Sequence, residues 1–193
     1  PPRSTLFPYT TLFRSIKKIV EGLKDYARAP SDSAELTPVD ANECIRYAAR
    51  LLKHTIAVST GRFEMNLSEK LPRVRADRLK LTQVVVNVLE NAMQSLPDRN
   101  GGVRIGTFAE TARNGGAEVV IRVVDDGIGM TPETLARVFE PFFTTKRERG
   151  GSGLGMAVVS GIVRDLGGSI DMASEPGAGR SEEHTSELQS RQV

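Results

Sequence analysis

The sequence has no tryptophan, few aromatic residues and one cysteine, Cys44, in 193 positions. A single cysteine excludes an internal disulfide and any cysteine-rich metal cluster. Charge of one sign is also lacking. Lys and Arg number 26 against 24 Asp and Glu, a formal net charge of +2, which gives no footing for nucleic acid or an anionic membrane. No apolar run approaches the ~20 residues of a membrane helix, and no signal peptide is found, so the default expectation is a cytoplasmic piece. What is present, 39% apolar and 26% charged residues, is the composition of a globular domain.

The two ends have no helical or strand period. Leu6–Ser15 in "PPRSTLFPYTTLFRS" and Arg180–Gln189 in "RSEEHTSELQSRQV" both resemble common sequencing-library adapters translated as if they were coding. Segments 1–15 and 180–193 are therefore expected to be artefacts outside the fold, with a gene-derived piece of about Ile16–Gly179 between them.

Between these ends the pattern is regular. Ile16, Ile19, Val20, Leu23 and Tyr26 have helical spacing. Pro30 and Pro38 bracket small polar residues, which reads as a linker over 30–38. Asp40 and Glu43 form a capping box for a helix carrying Cys44, Ile45, Ala48, Leu51 and Leu52 inward. Phe63, Met65 and Leu67 alternate with polar residues, as in a half-buried strand. A long helix is expected from Asp77 to Leu96. "VRIGTFAE" and "AEVVIRVVDD" read as a hairpin across "TARNGG". Thr131-Pro132 starts a short helix, and a last helix after Gly153 stops at Gly167-Gly168. "SIDMAS" is a further strand. Strands and helices interleave and the hairpin demands antiparallel pairing. The expected class is α+β, a two-layer sandwich of a mixed, largely antiparallel sheet with helices on one face.

Four stretches carry chemistry. On a wheel of the long helix, Val85, Val88, Leu89, Ala92 and Met93 gather on one side, and Gln83, Asn87, Glu90, Asn91 and Gln94 on the other. A solvated face ordinarily mixes Lys and Arg among its acids; this one carries amides and one acid. Asn87 and Asn91 are one turn apart, and their neutral carbonyl oxygens suit a hard cation that keeps waters and phosphate ligands, such as Mg²⁺. On this motif alone a plain polar face is equally good. Asp125-Asp126-Gly127-Ile128-Gly129-Met130 ends a strand, with Asp125 at a pocket floor and glycines that let a flat ligand approach. In "FEPFFTTK", Phe139 can be core, whereas Phe142-Phe143 suggest the hinge of a lid, and Lys146 could reach a phosphate. Gly150-Gly151-Ser152-Gly153-Leu154-Gly155-Met156 opens the last helix, whose free N–H groups favour phosphate; no Walker sequence follows.

Together, in this order and spacing, these stretches resemble the N, G1, F and G2 boxes of the ATP-binding catalytic domain of bacterial sensor histidine kinases, in the wider group with the Bergerat fold that includes gyrase, Hsp90 and MutL. "FEPFFTTK" and "GSGLGM" look most like the nitrogen-regulation type. The resemblance implies a domain over 39–179, preceded over 16–29 by the end of a second dimerisation helix. It implies ATP and Mg²⁺ as cofactors, with Asn91 as main metal ligand, Asn87 beside it, and Glu90 orienting or deprotonating the nucleophile. It implies that Asp125 accepts from the adenine amino group, and that Gly127 and Gly129 line the base pocket. Gly151, Gly153 and Gly155 would wrap the phosphates, among binding residues that include Phe142, Thr145, Lys146, Ser152, Leu154 and Met156. Guanine would present a carbonyl oxygen to Asp125, a mismatch worth on the order of 10⁴-fold. The implied partners are a histidine-bearing dimerisation domain, a response regulator and a second copy of the parent, which the family also allows to be anchored in the inner membrane.

Two departures stand out. The family phosphorylates a histidine in an H-E/D-x-x-N/T segment; His54 is followed by "TIAV" and His184 lies in the adapter-like end, so no acceptor is found. The family also closes its sheet with a strand after the "EPGAG" turn, where the adapter-like end begins, so the last strand is expected to be missing and the domain poorly stable. An ATPase of the gyrase or MutL kind would place a glutamate where Asn87 stands, which argues against hydrolysis. A nucleotide-sensing module without transfer is the third alternative.

Overall fold

The computed structural model describes residues 36–111, 116–146 and 151–176, together with the backbone of 185–191. The expected dimerisation helix over 16–29 and the segment 1–15 lie outside the described residues.

The first strand, β1 (Thr37–Val39), pairs antiparallel with β3 (Val74–Ala76). The linker expected over 30–38 thus ends inside structure. Val39 is buried, and a strand with one neighbour accommodates Pro38 because its missing N–H can face away from the partner. Asp40 caps α1 (Ala41–Leu51), its Oδ1 accepting from the N–H groups of Asn42 and Glu43. The Glu43 carboxylate meets Arg78 at 3.1 Å. Cys44, Ile45, Ala48 and Leu52 point into the core, and burial pushes the Cys44 thiol pKa up. Leu51 does not; it is 58% exposed, because adjacent helix positions differ by ~100° and Leu52 takes the inward direction. The short α2 (Lys53–Ser59) carries His54, which is exposed.

The main sheet runs β2 (Arg62–Leu67), β4 (Gly102–Thr111), β5 (Ala117–Asp125), β7 (Thr185–Arg191), β6 (Ser169–Met172). β2 is parallel to β4, and every other pairing is antiparallel. The expected 4–5 hairpin is present in register Val103 opposite Asp125 through Thr111 opposite Ala117. Met65, expected to face inward, is 46% exposed, because β2 is the sheet's edge and the core ends beside it.

The strand expected to be missing is not. Residues 185–191, expected to lie outside the fold, pair with β5 on one side and β6 on the other. Strand pairing uses backbone N–H and C=O groups, and a slot between two open edges accepts a strand with little regard to its side chains.

The helices cover one face. α3 (Arg78–Ser95) is capped by Asp77, which accepts from Leu79 and Lys80 N–H. Its apolar side buries Val84, Val85, Val88, Leu89, Ala92 and Met93 against Val103 and Ile105 of β4 and Val119, Ile121 and Val123 of β5. Each such fully buried side chain contributes ~1.5–3 kcal/mol. The short α4 (Pro132–Arg137) is capped by Thr131. α5 (Gly155–Asp165) packs on α3 and ends as expected, with Gly167 N–H donating to Arg164 and Gly168 N–H to Val163.

Candidate functional site

With its apolar side spent on the sheet, α3 turns its amides outward, where they form one wall of a cavity of about 360 Å³. Gln83, Asn87, Asn91 and Ser95 follow at intervals of four and make a polar row along that wall, with Glu90 and Gln94 beside it. The opposite side is built from Phe143–Lys146 and Gly151–Met156. Asp125, Gly129 and Met130 close one end, and Met172 at the end of β6, with Ala173 and Ser174 after it, complete it.

Asp125 leaves β5 at this end. Its Oδ1 accepts from the Ser95 hydroxyl at 2.6 Å and from Gly127 N–H at 2.9 Å. A Cβ on Gly127 would overlap Ser95 Oγ and Asp125 Oδ1, so only glycine lets the turn lie this close to the helix end. Ile128 N–H donates to the Ser95 carbonyl at 3.0 Å, a second tie between the same helix turn and the same loop. The neighbouring Asp126 faces elsewhere. Its Oδ2 meets Arg62 at 2.7 Å and accepts from Gly102 N–H at 2.9 Å, which ties the end of β5 to the starts of β2 and β4.

On the other side Lys146 Nζ donates to Asn91, 3.3 Å from its Oδ1 and 3.4 Å from its backbone carbonyl. An ammonium thus stands against the amide oxygen expected to bind a cation. Phe142 N–H donates to Gly153 O at 2.9 Å, and Gly151 N–H to Lys146 O at 3.1 Å. Phe142 has φ 65, rare for a non-glycine residue. Gly153 has φ 68, and a Cβ there would lie 2.5 Å from the Phe142 carbonyl carbon.

The fold therefore brings together Asn87, Glu90, Asn91, Asp125, Gly129, Thr145, Lys146, Gly151, Ser152, Gly153, Leu154, Gly155 and Met156 around one cavity. Gly127 is not part of the lining; it donates its N–H to Asp125, which is. Phe142 is not part of the lining: its side chain is 51% exposed, and Phe143 takes the inward position beside the Arg137 guanidinium. Sequence reasoning missed Ser95, Thr134, Val138 and Ser174. The Ser95 signal was available, since it continues the Asn87–Asn91 spacing by one more turn. Ser174 accepts from Met130 N–H at 2.9 Å across 44 positions, and no local pattern points to it.

A two-layer α+β sandwich with a polar cavity between a helix wall and a glycine-rich segment is the class these features define. The sequence profile of the histidine kinase-, DNA gyrase B- and HSP90-like ATPases matches residues 76–188, more than half of the chain. The chain belongs to that family.

Sensor kinases are among its relatives. It is 37% identical over 144 residues to the sensor histidine kinase ZraS of Escherichia coli K12, covering 75% of this chain and 29% of that protein. To the alginate biosynthesis sensor protein KinB of Pseudomonas aeruginosa it is 36% identical over 116 residues, 60% of this chain and 18% of the relative. Full-length ShkA, solved in complex with AMPPNP, superposes with a TM-score of 0.72 at 28% identity, over 91% of this chain and 35% of its own. The nucleotide-free catalytic domain of the histidine kinase ThkA gives 0.65 at 26% identity, over 81% of this chain and 95% of its own. The chain thus spans less than a third of the curated relatives it matches. Among the described residues no helix is long and apolar enough to cross a membrane.

Proposed function

We propose that this chain is the ATP-binding, phosphoryl-donating domain of a sensor histidine kinase. One observation carries the reading: the amide face of α3, the Asp125 carboxylate and the glycine-rich start of α5 meet at a single cavity. The chemistry of each wall suits a different part of one ligand.

Adenine fits the Asp125 end, where a carboxylate accepts from an exocyclic amino group. The phosphates fit the opposite end, against Lys146 and the N-terminal N–H groups of α5. Mg²⁺ fits the amide face. The donors there are hard neutral oxygens, and the Lys146 ammonium at Asn91 Oδ1 marks that oxygen as a cation partner. Asn87 and Asn91 would hold the metal, whose charge would offset that of the phosphates. Among the described residues no three His, Cys, Asp or Glu side chains gather to hold a metal unaided, so the nucleotide's phosphates must complete the set.

The rest of the work belongs to this chain. Phosphoryl transfer asks for positioning and electrostatic stabilisation more than for covalent chemistry. The polar row of α3 fixes the triphosphate lengthwise. Lys146 offsets charge on it. Glu90, at the cavity's edge on the same helix, would orient or deprotonate a neutral imidazole that arrives in line with the γ-phosphoryl group. That imidazole belongs to the dimerisation domain of a dimeric parent, and a response regulator receives the phosphoryl group next. The domain works on the cytoplasmic side, in a parent of a family whose members can be anchored in the inner membrane.

Incubation with γ-labelled ATP tests this. The chain alone gains no acid-labile label, and a separate dimerisation domain carrying its own acceptor histidine becomes labelled when added. Release of inorganic phosphate without transfer would favour an ATPase instead. Binding without either outcome would favour a nucleotide sensor. Label on the isolated chain that disappears in His54→Gln would overturn the donor-only reading.

A further inference from the structure

We infer that Ser95 is a positioning residue that sets base selectivity, by holding the Asp125 carboxylate at the angle from which it reads the adenine amino group. The inference rests on the ATP reading of the cavity and adds a residue to it.

Three contacts converge on Ser95. Its hydroxyl lies 2.6 Å from Asp125 Oδ1 and 2.6 Å from the Ala92 carbonyl. Its own carbonyl accepts from Ile128 N–H at 3.0 Å. Gly127 lies so close that any side chain at 127 would collide with the Ser95 hydroxyl. One residue at the last turn of α3 therefore grips the loop after β5 on both sides of Gly127.

The consequence is geometric. A carboxylate rotates freely about its last torsion unless its oxygens are engaged. Here Oδ1 has two donors, the Ser95 hydroxyl and Gly127 N–H. Gly127 N–H lies only two positions further along the chain from Asp125. Ser95 stands on a separate, long helix, so it refers the carboxylate to an element other than the strand that carries it. It also stands on the helix that presents Asn87 and Asn91. The base reader and the metal-side amides are thereby fixed to one rod, at a set distance along the cavity.

A mere packing role and a positioning role differ in what they do to different ligands. The test is a cycle between the Ser95 hydroxyl and the 6-amino group of the base. Affinities of ATP and of purine riboside triphosphate, which lacks that amino group, are measured by titration calorimetry for the wild-type chain, Ser95→Ala and Ser95→Thr. The wild type should prefer ATP by about tenfold or more, the worth of a hydrogen bond to a charged group. In Ser95→Ala that preference should fall by about fivefold, with the amino-less nucleotide bound nearly as before. Ser95→Thr, which keeps the hydroxyl, should recover most of the preference. The preference is a ratio of affinities, so a partly unfolded sample does not distort it. Equal loss for both nucleotides in Ser95→Ala would reduce Ser95 to a packing residue and overturn the inference, as would an unchanged preference. A wild-type chain that binds neither nucleotide would instead remove the ATP reading, and the inference with it.

Discussion

The two ends of the cavity are built on different terms. At the Asp125 end short ties run to other elements of the fold: Ser95 to Asp125, Ile128 to Ser95, Asp126 to Gly102 and Arg62. At the Lys146 end the ties are longer or run within the segment itself. Lys146 reaches Asn91 at 3.3 Å, Gly151 donates to Lys146, and Phe142 donates to Gly153. The difference suits the proposed nucleotide site. A base is rigid and must be told from other bases, so its reader is preorganised. A triphosphate is flexible and highly charged, so its partners can exchange one contact for another as it arrives.

Equal substitutions at the two ends should therefore have unequal effects. The largest is expected at Gly127→Ala. The new methyl has nowhere to go between Ser95 and Asp125, and overpacking of this kind costs ~1–3 kcal/mol of stability. Thermal melting should fall and ATP binding should drop below detection. Gly151→Ala is the matched change at the other end. There a Cβ meets the Thr144 hydroxyl at 2.8 Å, which can rotate away, and the Lys146 carbonyl oxygen at 3.1 Å, which needs to give by only a few tenths of an ångström, so binding should stay within a few-fold of wild type. If the two variants bind equally, the contrast between the ends is wrong.

Lys146→Met should have an intermediate effect. It removes a cation from the phosphate end and leaves the base end alone. ATP affinity should fall a few-fold and lose part of its salt dependence, while adenosine affinity holds. Titrations at two ionic strengths separate the two. The smallest effect is expected at Phe142→Gly. Relief of a left-handed non-glycine residue is worth ~1–2 kcal/mol, and the extra freedom of glycine in the unfolded chain returns ~0.4–1 kcal/mol. A slight rise in the melting temperature is the expected result.

Legibility in the sequence follows the same division. Periodicity and caps disclosed α3, α5 and the 4–5 hairpin, because those depend on neighbours within a few residues. The amide row was visible for the same reason: Asn87 and Asn91 share a face by spacing alone. Two exposed hydrophobics, Leu51 and Met65, were misread because alternation says which side a residue is on and not where the core ends. Pro38 looked like a linker, yet it belongs to a two-stranded pair whose other member lies beyond two helices and a strand. Residues 185–191 offered no apolar pattern, and their place is set by the open edges of β5 and β6. Ser95 was hidden differently. A serine near a helix end reads as ordinary, and its meaning comes from a carboxylate 30 positions away.

The central claim is that the Asp125 end reads adenine while the amides of α3 serve the metal-phosphate side. Calorimetric titration of Mg-ATP into the wild-type chain, Asp125→Asn and Asn91→Ala tests it most directly. Each substitution replaces or removes one polar partner whose charge-assisted contact is worth ~1.5–3 kcal/mol, so each should weaken binding roughly tenfold or more. Unchanged affinity in both variants would contradict the assignment of this cavity to ATP.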